Sequence, residues 1–386
     1  MAEPRWTGRD LSRLRQALVL ASRGEGRTSP NPMVGALLVR GGRVVGRGYH
    51  TRAGEPHAEI VALRQAGPRA RGATLYVNLE PCCHFGRTPP CVDALIGAGV
   101  RRVVASMRDP DPRVDGRGFR ALRAAGVRVR VGCGREAAYR LNERFLHYVR
   151  TGVPFVTLKA GMSLDGRIAT RRGESRWITS RRAREQARSL RARHDAVLVG
   201  VNTVLADDPR LAASGGGRAP ARVVLDARLR TPSGARLLRD GAGGQTLILT
   251  LAGASERRRR RLERRGALVV PLPSRRGRVD LRAALVELGR RGIRSILVEG
   301  GSEVLGSALD ERIGDRIVLY VAGKILGGRT ALPAFGGLGA GRLREAARLY
   351  GWSIRPLGED LVLEGRLVFP TRRRRGPRAK RCSPAS

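Results

Sequence analysis

What most limits the fold of this chain is an alternation of short apolar runs with helical patterns that starts twice. In the first half, Leu11, Leu14 and Leu18 recur at helical spacing after Asp10, which reads as the helix N-cap. Apolar runs at 33–39 and 44–49 flank Gly41-Gly42 as a hairpin, and a helix begins near His57. A strand at 74–79, a helix at 91–96, a strand at 103–106, a helix through 119–125 and a strand at 127–131 follow. Residues 135–149 read as one long helix, and Thr151-Gly152-Val153-Pro154 punctuates its end. The alternation then restarts, with strands at 155–159, 196–201, 222–225, 246–250, 267–271, 295–299, 317–321 and 361–369. Helices alternating with apolar strands make layered α/β domains. The expected organisation is one α/β domain over 1–150, a second over 151–370, and a basic, disordered tail over 371–386.

Charge is the conspicuous compositional feature. Lys and Arg total 75 against 33 Asp and Glu, for a net charge of +42, and only Lys159, Lys324 and Lys380 are lysines. Such a balance raises the question of a nucleic-acid partner. The arginines run through both halves and the tail instead of marking one element, so a chain-wide bias explains them better. Aromatic residues are only 4%, and none interleaves with the arginine runs at 257–261 or 372–375, so base-stacking platforms are missing. No nucleic-acid partner is expected. No apolar run reaches the roughly 18 residues of a membrane span. The opening Met-Ala-Glu-Pro-Arg-Trp lacks the apolar core of a signal peptide, so a cytoplasmic location is expected. Three of the five cysteines, Cys82, Cys83 and Cys91, fall within ten positions, which in a reducing compartment favours metal binding over bridging.

That cluster has a partner upstream. Glu55-Pro56-His57-Ala58-Glu59 precedes an apolar helix, and Glu80-Pro81-Cys82-Cys83-His84-Phe85-Gly86-Arg87-Thr88-Pro89-Pro90-Cys91 follows it. One imidazole and two thiolates suit Zn²⁺ and leave a fourth position for water, which the metal acidifies. A carboxylate two residues after the His stands close without being a ligand and can shuttle protons to a leaving amine. His-x-Glu with a later Pro-Cys marks zinc-dependent base deaminases. The usual Pro-Cys-x-x-Cys is lengthened here, since Phe85 stands three after Cys82 and the next cysteine is Cys91. Cys83 or His84 would make the site structural if either supplied a fourth ligand.

The lengthened loop resembles one subfamily, the bifunctional riboflavin-biosynthesis deaminase/reductases. Asn31-Pro32-Met33-Val34-Gly35, Gly48-Tyr49-His50 and Ala53-Gly54-Glu55-Pro56-His57-Ala58-Glu59 belong to the same resemblance. It implies an N-terminal cytidine-deaminase-like three-layer domain with His57, Cys82 and Cys91 on zinc. By the same resemblance Glu59 is the catalytic proton shuttle, and Asn31 and His50 face the pyrimidine.

The second half lacks Gly-x-Gly-x-x-Gly, the ordinary dinucleotide fingerprint. It does carry Ile296-Leu297-Val298-Glu299-Gly300-Gly301-Ser302-Glu303, a strand running through paired glycines into a helix whose N-terminus can receive a phosphate. Lys159-Ala160-Gly161, Gly173-Glu174-Ser175-Arg176-Trp177 and Asn202-Thr203-Val204-Leu205-Ala206-Asp207-Asp208-Pro209 resemble the reductase half of the same family, with a dihydrofolate-reductase-like fold and NADPH as cofactor. The resemblance implies that Gly161, Trp177, Thr203, Asp207, Gly301, Ser302, Glu303, Val304, Leu305, Gly306 and Ser307 contact the nucleotide. Lys159, Ser175, Arg191, Leu211 and Glu299 are implied at the phosphoribosyl substrate, with the forked guanidinium of Arg191 suited to a phosphate. After Leu211 the family continues with an Arg that reaches the substrate phosphate. Here Ala212-Ala213-Ser214-Gly215-Gly216-Gly217 intervenes, leaving Arg218 as a stand-in. The implied chemistry is hydrolytic deamination of 2,5-diamino-6-(5-phosphoribosylamino)pyrimidin-4(3H)-one. NADPH-dependent reduction of the ribosyl side chain of 5-amino-6-(5-phosphoribosylamino)uracil to ribityl follows. The expected partner is thus a small phosphorylated pyrimidine, and a homo-oligomer is left open.

Overall fold

A computed structural model of the chain describes residues 6–85, 89–214, 218–239 and 244–370. The expected tail over 371–386, the Gly86-Arg87-Thr88 part of the cysteine loop and the glycines at 215–217 lie outside the described residues.

The first unit runs α1 (Gly8–Ser22), β1 (Gly35–Arg40), β2 (Arg43–Tyr49), α2 (Ala58–Ala66), β3 (Thr74–Val77), α3 (Cys91–Gly97), β4 (Arg102–Ala105), α4 (Arg117–Ala124) and β5 (Arg128–Val131). Two helices, α5 (Arg135–Leu141) and α6 (Glu143–Thr151), lead out of it. The sheet order is β2-β1-β3-β4-β5, antiparallel on the β2 side of β3 and parallel beyond it. Leu14 and Ala17 of α1 pack on Leu37, Tyr76 and Val104 on one face. Ala58, Ala62, Val92, Leu95, Phe119 and Leu122 from α2, α3 and α4 pack on Leu38, Leu75 and Val103 on the other. The result is three layers. Gly46 and Gly48 bring α2 close to β2, because a Cβ on either would sit 2.2 or 2.1 Å from the carbonyl oxygen of Ala62 or Ala58.

Two sequence expectations change here. The α1 N-cap is Thr7, whose hydroxyl accepts from the Asp10 N–H; Asp10 itself is buried, accepting from the Tyr76 hydroxyl and pairing with Arg102. The long helix expected over 135–149 breaks at Asn142, whose amide side chain accepts from the Met33 N–H and donates to the Met33 carbonyl.

The second unit opens with β6 (Phe155–Ser163), β7 (Arg167–Ala169), α7 (Arg181–Arg191), β8 (Ala196–Gly200), α8 (Val201–Asp207), β9 (Ala221–Leu225), α9 (Arg236–Arg239) and β10 (Thr246–Leu251). It continues with α10 (Glu256–Glu263), β11 (Ala267–Leu272), β12 (Ser274–Arg275), β13 (Arg278–Val279), α11 (Leu281–Arg290) and β14 (Ser295–Val298). Then come α12 (Ser302–Asp310), β15 (Arg316–Ala322), β16 (Leu332–Pro333), β17 (Arg348–Leu357) and β18 (Asp360–Val368). Nine strands form one sheet in the order β11-β10-β9-β8-β14-β6-β15-β18-β17. It is parallel from β11 to β15, and its last two strands are antiparallel. Apolar cores cover both faces of this sheet, centred on Leu158, Ile296 and Leu288 on one side and Val197, Ile248 and Leu262 on the other. Among the described residues, no helix is long and apolar enough to cross a membrane.

Candidate active sites

In the first unit, two helix N-termini and the end of a strand converge. His57 caps α2 with Glu59 in the first turn, Cys91 opens α3, and Cys82 lies just beyond β3. His57 Nδ1 lies 3.3 Å from Cys91 Sγ and 3.4 Å from Cys82 Sγ. All three candidate ligand atoms lie within 4.8 Å of one another, and among the described residues only these three form such a group. Tetrahedral Zn²⁺ with a nitrogen at about 2.0 Å and a sulfur at about 2.3 Å spaces the two ligand atoms by roughly 3.5 Å, so the set fits the metal. Neither Cys83 nor His84 joins it. The Cys83 thiol is directed at the Arg113 carbonyl and packs at the edge of the core, as expected of a small apolar filler. His84 keeps a buried, unpartnered Nδ1.

Glu59 is 3% exposed, and its carboxyl is pushed up to about 7, first by burial and then by the neighbouring Cys82 thiolate. His50, at the end of β2, stacks edge-on to His57. Its Nδ1 lies 3.2 Å from the Pro56 carbonyl, an obligate acceptor, so the proton sits on Nδ1. Nε2 is then free to accept from the Asn31 amide at 3.0 Å. Burial holds the His50 pKa below its ordinary value, consistent with this neutral form. Asn31 and His50 are therefore brought together beside the metal-ligand set.

Sequence reasoning missed two acids here. Glu80 is buried and accepts backbone N–H bonds from Asp109, Gly116 and Phe119. Asp109 is 7% exposed, with its carboxyl pushed up to about 7 chiefly by burial. Only the repeated Asp-Pro of Asp109-Pro110-Asp111-Pro112 marked that loop in the sequence.

In the second unit a cleft of about 2150 Å³ opens at the carboxyl ends of β6, β8 and β14, where parallel α/β sheets bind ligands. Lys159, Gly161, Ser175, Trp177, Arg191, Thr203, Asp207, Leu211 and Glu299 line it, as do Gly301 through Leu305 and Ser307. Gly306 does not. A Cβ there would lie 2.0 Å from the Gly336 carbonyl oxygen, so it is a packing contact on the far side of α12. Gly300 and Gly301 adopt φ of 154° and 79°, and Thr203 Oγ1 lies 3.5 Å from where a Cβ on either would stand, leaving bare backbone at the start of α12. Trp177 is 61% exposed with the Arg184 guanidinium 4.1 Å from its ring centre.

Arg191 is already paired. Its Nε and Nη2 grip both oxygens of Glu299 at 2.6 and 2.8 Å, and Nη1 donates to the Ala212 carbonyl. Lys159 Nζ stands 3.8 Å from the same carboxylate. Arg218 does not line this cleft; it faces Asp195 at 4.0 Å where the two units meet. The cleft has a basic wall instead, including Arg176, Arg188, Arg228, Arg230, Arg275 and Arg276, with Arg278 paired to Glu303. In a chain so rich in arginine, no sequence signal separated these from the rest.

The comparisons with known proteins bear on both halves. A family model described as the cytidine and deoxycytidylate deaminase zinc-binding region matches residues 8–107, and the RibD C-terminal domain matches residues 154–363. The riboflavin biosynthesis protein RibD of Aquifex aeolicus is 43% identical over 356 residues, covering 92% of this chain and 97% of its own length. The chain belongs to the RibD family. The RibD of Escherichia coli K12 is 43% identical over 366 residues, with 90% and 96% covered. Among solved structures, RibD of Acinetobacter baumannii superposes with a TM-score of 0.83 at 36% identity, covering 93% of this chain and 99% of that one. A Thermotoga maritima diaminohydroxyphosphoribosylaminopyrimidine deaminase/5-amino-6-(5-phosphoribosylamino)uracil reductase gives 0.81 at 33% identity, with 93% and 99% covered. Like other RibD proteins, this one is a bifunctional enzyme of riboflavin biosynthesis, a deaminase of the zinc-binding type joined to an NADPH-using reductase. The resemblance read from the motifs is borne out for family, fold class, both activities and both cofactors.

Proposed function

We propose that the first reaction is loss of the 2-amino group from 2,5-diamino-6-(5-phosphoribosylamino)pyrimidin-4(3H)-one, with His57, Cys82 and Cys91 as zinc ligands. The observation that carries this reading is the compact His57, Cys82 and Cys91 group with Glu59 buried beside it. When bound, zinc supplies a Lewis acid that activates water near neutral pH. Glu59 takes up the proton of that water and returns it to the departing amine, from a site whose burial keeps competing water out. Asn31, oriented by His50, hydrogen-bonds the pyrimidine edge.

The second reaction, in this reading, reduces the ribosyl side chain of 5-amino-6-(5-phosphoribosylamino)uracil. NADPH supplies hydride, and the chain contributes positioning. The bare backbone at Gly300-Gly301 and the N-terminus of α12 receive the pyrophosphate, while Gly161, Trp177, Thr203 and Asp207 hold the rest of the nucleotide. Lys159, Ser175, Leu211 and the Arg191–Glu299 pair face the phosphoribosyl group. The division into domains at 150/151 agrees with α6 ending at Thr151 and the second sheet starting at Phe155. Free thiols at Cys83 and Cys133, outside the metal-binding group, agree with a cytoplasmic enzyme. Self-association is proposed through the sheet-edge ribbon of β17 and β18, which exposes Tyr350, Trp352 and Ile354.

Zinc content and ammonia release for the wild type and Glu59→Gln test the deaminase assignment. The variant should keep one zinc per chain and lose about 10²- to 10⁴-fold in deamination rate. Loss of metal together with activity would make Glu59 structural. NADPH oxidation on addition of the deaminated intermediate should survive this substitution; no oxidation would refute the second substrate.

A further inference from the structure

We propose that Arg294, a residue of the reductase domain, is a positioning residue for the deaminase reaction, acting through Asn31. The inference rests on the reading above, in which Asn31 faces the pyrimidine.

Asn31 lies on the connection between α1 and β1, outside the sheet. On its C-terminal side this connection is anchored within its own half, because Asn78 and Asn142 both hydrogen-bond the Met33 backbone. On its N-terminal side the Asn31 N–H donates to the Thr28 carbonyl at 2.7 Å within the same half, and further anchors come from the other domain. Pro30 has no N–H, so its carbonyl is its only backbone hydrogen-bonding group, and that carbonyl accepts from Arg294 Nη1 at 2.5 Å. Gly26 abuts the end of α7, where a Cβ would sit 2.4 Å from the Ala192 carbonyl oxygen. Glu25 faces Arg193 of the second domain at 3.6 Å and Arg144 of its own half at 3.7 Å.

Arg294 is itself well fixed. It stands immediately before β14, its N–H donates to Asp195 Oδ2, and its carbonyl accepts from the Phe155 N–H. Its guanidinium lies 4.6 Å from the Tyr148 ring centre, over the helix that joins the domains. A cation of one domain, carried on a backbone anchored at both N–H and carbonyl, thereby donates to the carbonyl immediately before the residue that reads substrate in the other. Displacements of about 1 Å at such groups are enough to cost catalysis heavily. Glu299, at the opposite end of β14, lies away from this contact, so the two activities can be separated by substitution at Arg294.

The experiment measures both activities in the full-length, zinc-loaded enzyme for Asn31→Ala, Arg294→Ala, Arg294→Lys and the Asn31→Ala/Arg294→Ala double variant. Arg294→Ala should lower deaminase kcat/KM about tenfold, with zinc content retained and reductase kcat/KM within about twofold of wild type. Arg294→Lys, which keeps a donor, should recover part of the loss. In the Asn31→Ala background, the Arg294→Ala loss should disappear, because the two act as one unit. An Arg294→Ala loss of the same size in that background, an unchanged deaminase, or a parallel fall in the reductase overturns the proposal. An Asn31→Ala variant with wild-type deamination refutes the role of Asn31 itself, and the proposal with it.

Discussion

Glu299 carries the main electrostatic tension in the reductase cleft. Its side chain is 5% exposed, and burial alone would drive its carboxyl upward. Lys159 and Arg191 outweigh burial and hold it below the ordinary value of 4.5. The carboxylate therefore binds protons less readily in the folded chain than in the unfolded one. Its stabilisation is complete above pH 4.5 and is lost as the pH falls through the lower folded value. In denaturant titrations, the stability gap between wild type and Glu299→Gln should stay constant from pH 8 to about pH 5 and narrow at more acidic values. A gap that widens on acidification would refute the pairing. Arg191→Ala should destabilise by about 3–5 kcal/mol, since it strips the bidentate partner from a buried carboxylate. These pairings were hidden in the sequence, where Arg191 is one basic residue in a helix full of them and Glu299 lies 108 positions away. The His57, Cys82 and Cys91 group, whose atoms the structure gathers within 4.8 Å, was legible because metal chemistry restricts both residue type and spacing within a short segment.

At the scale of elements, Glu80 shows how the deaminase site is framed. α4 begins after Gly116, which offers no side-chain cap, and the Glu80 carboxylate from the end of the β3 connection serves that helix remotely. The same carboxylate accepts the Asp109 N–H, and a Cβ on Gly118 would sit 2.2 Å from the Pro81 carbonyl oxygen. The backbone leading into Cys82 is thus clamped between a helix and an acidic loop. Glu80→Ala would leave three buried N–H groups without their acceptor and should lower stability by about 3 kcal/mol or more. Zinc should also be released at lower chelator concentration, read by a metal indicator; an unchanged chelator titration would separate the clamp from the metal site. Elements that pack by their own periodicity, such as β3, β8, β10 and β14, were visible as apolar runs. β17 was not, because it lies at the sheet edge with most side chains exposed and a register shift between Tyr350 and Ser353. The break at Asn142 was invisible for another reason: its partner is Met33, 109 residues earlier.

At the scale of the whole molecule, a net charge of +42 opposes apolar self-association. The β17–β18 ribbon exposes Tyr350, Trp352, Ile354, Leu361 and Val368 by 43–67%. An exposed apolar array of this kind at a free sheet edge is usually an interface. A second copy of this chain, applied by a twofold axis, would cover it with the same residues. Copies carrying the same large charge repel, and that repulsion reaches about 10 Å at 0.1 M salt but only about 3 Å at 1 M. Apolar burial is not weakened by the same change. Association read by sedimentation velocity should therefore strengthen as sodium chloride rises from about 0.1 to about 1 M, the reverse of a salt-bridged interface. Trp352→Glu should remain monomeric across that range while keeping deaminase turnover. Weakening of the wild-type association by salt would assign the contact to ionic pairs elsewhere, and no association at any concentration would leave the ribbon without a partner copy.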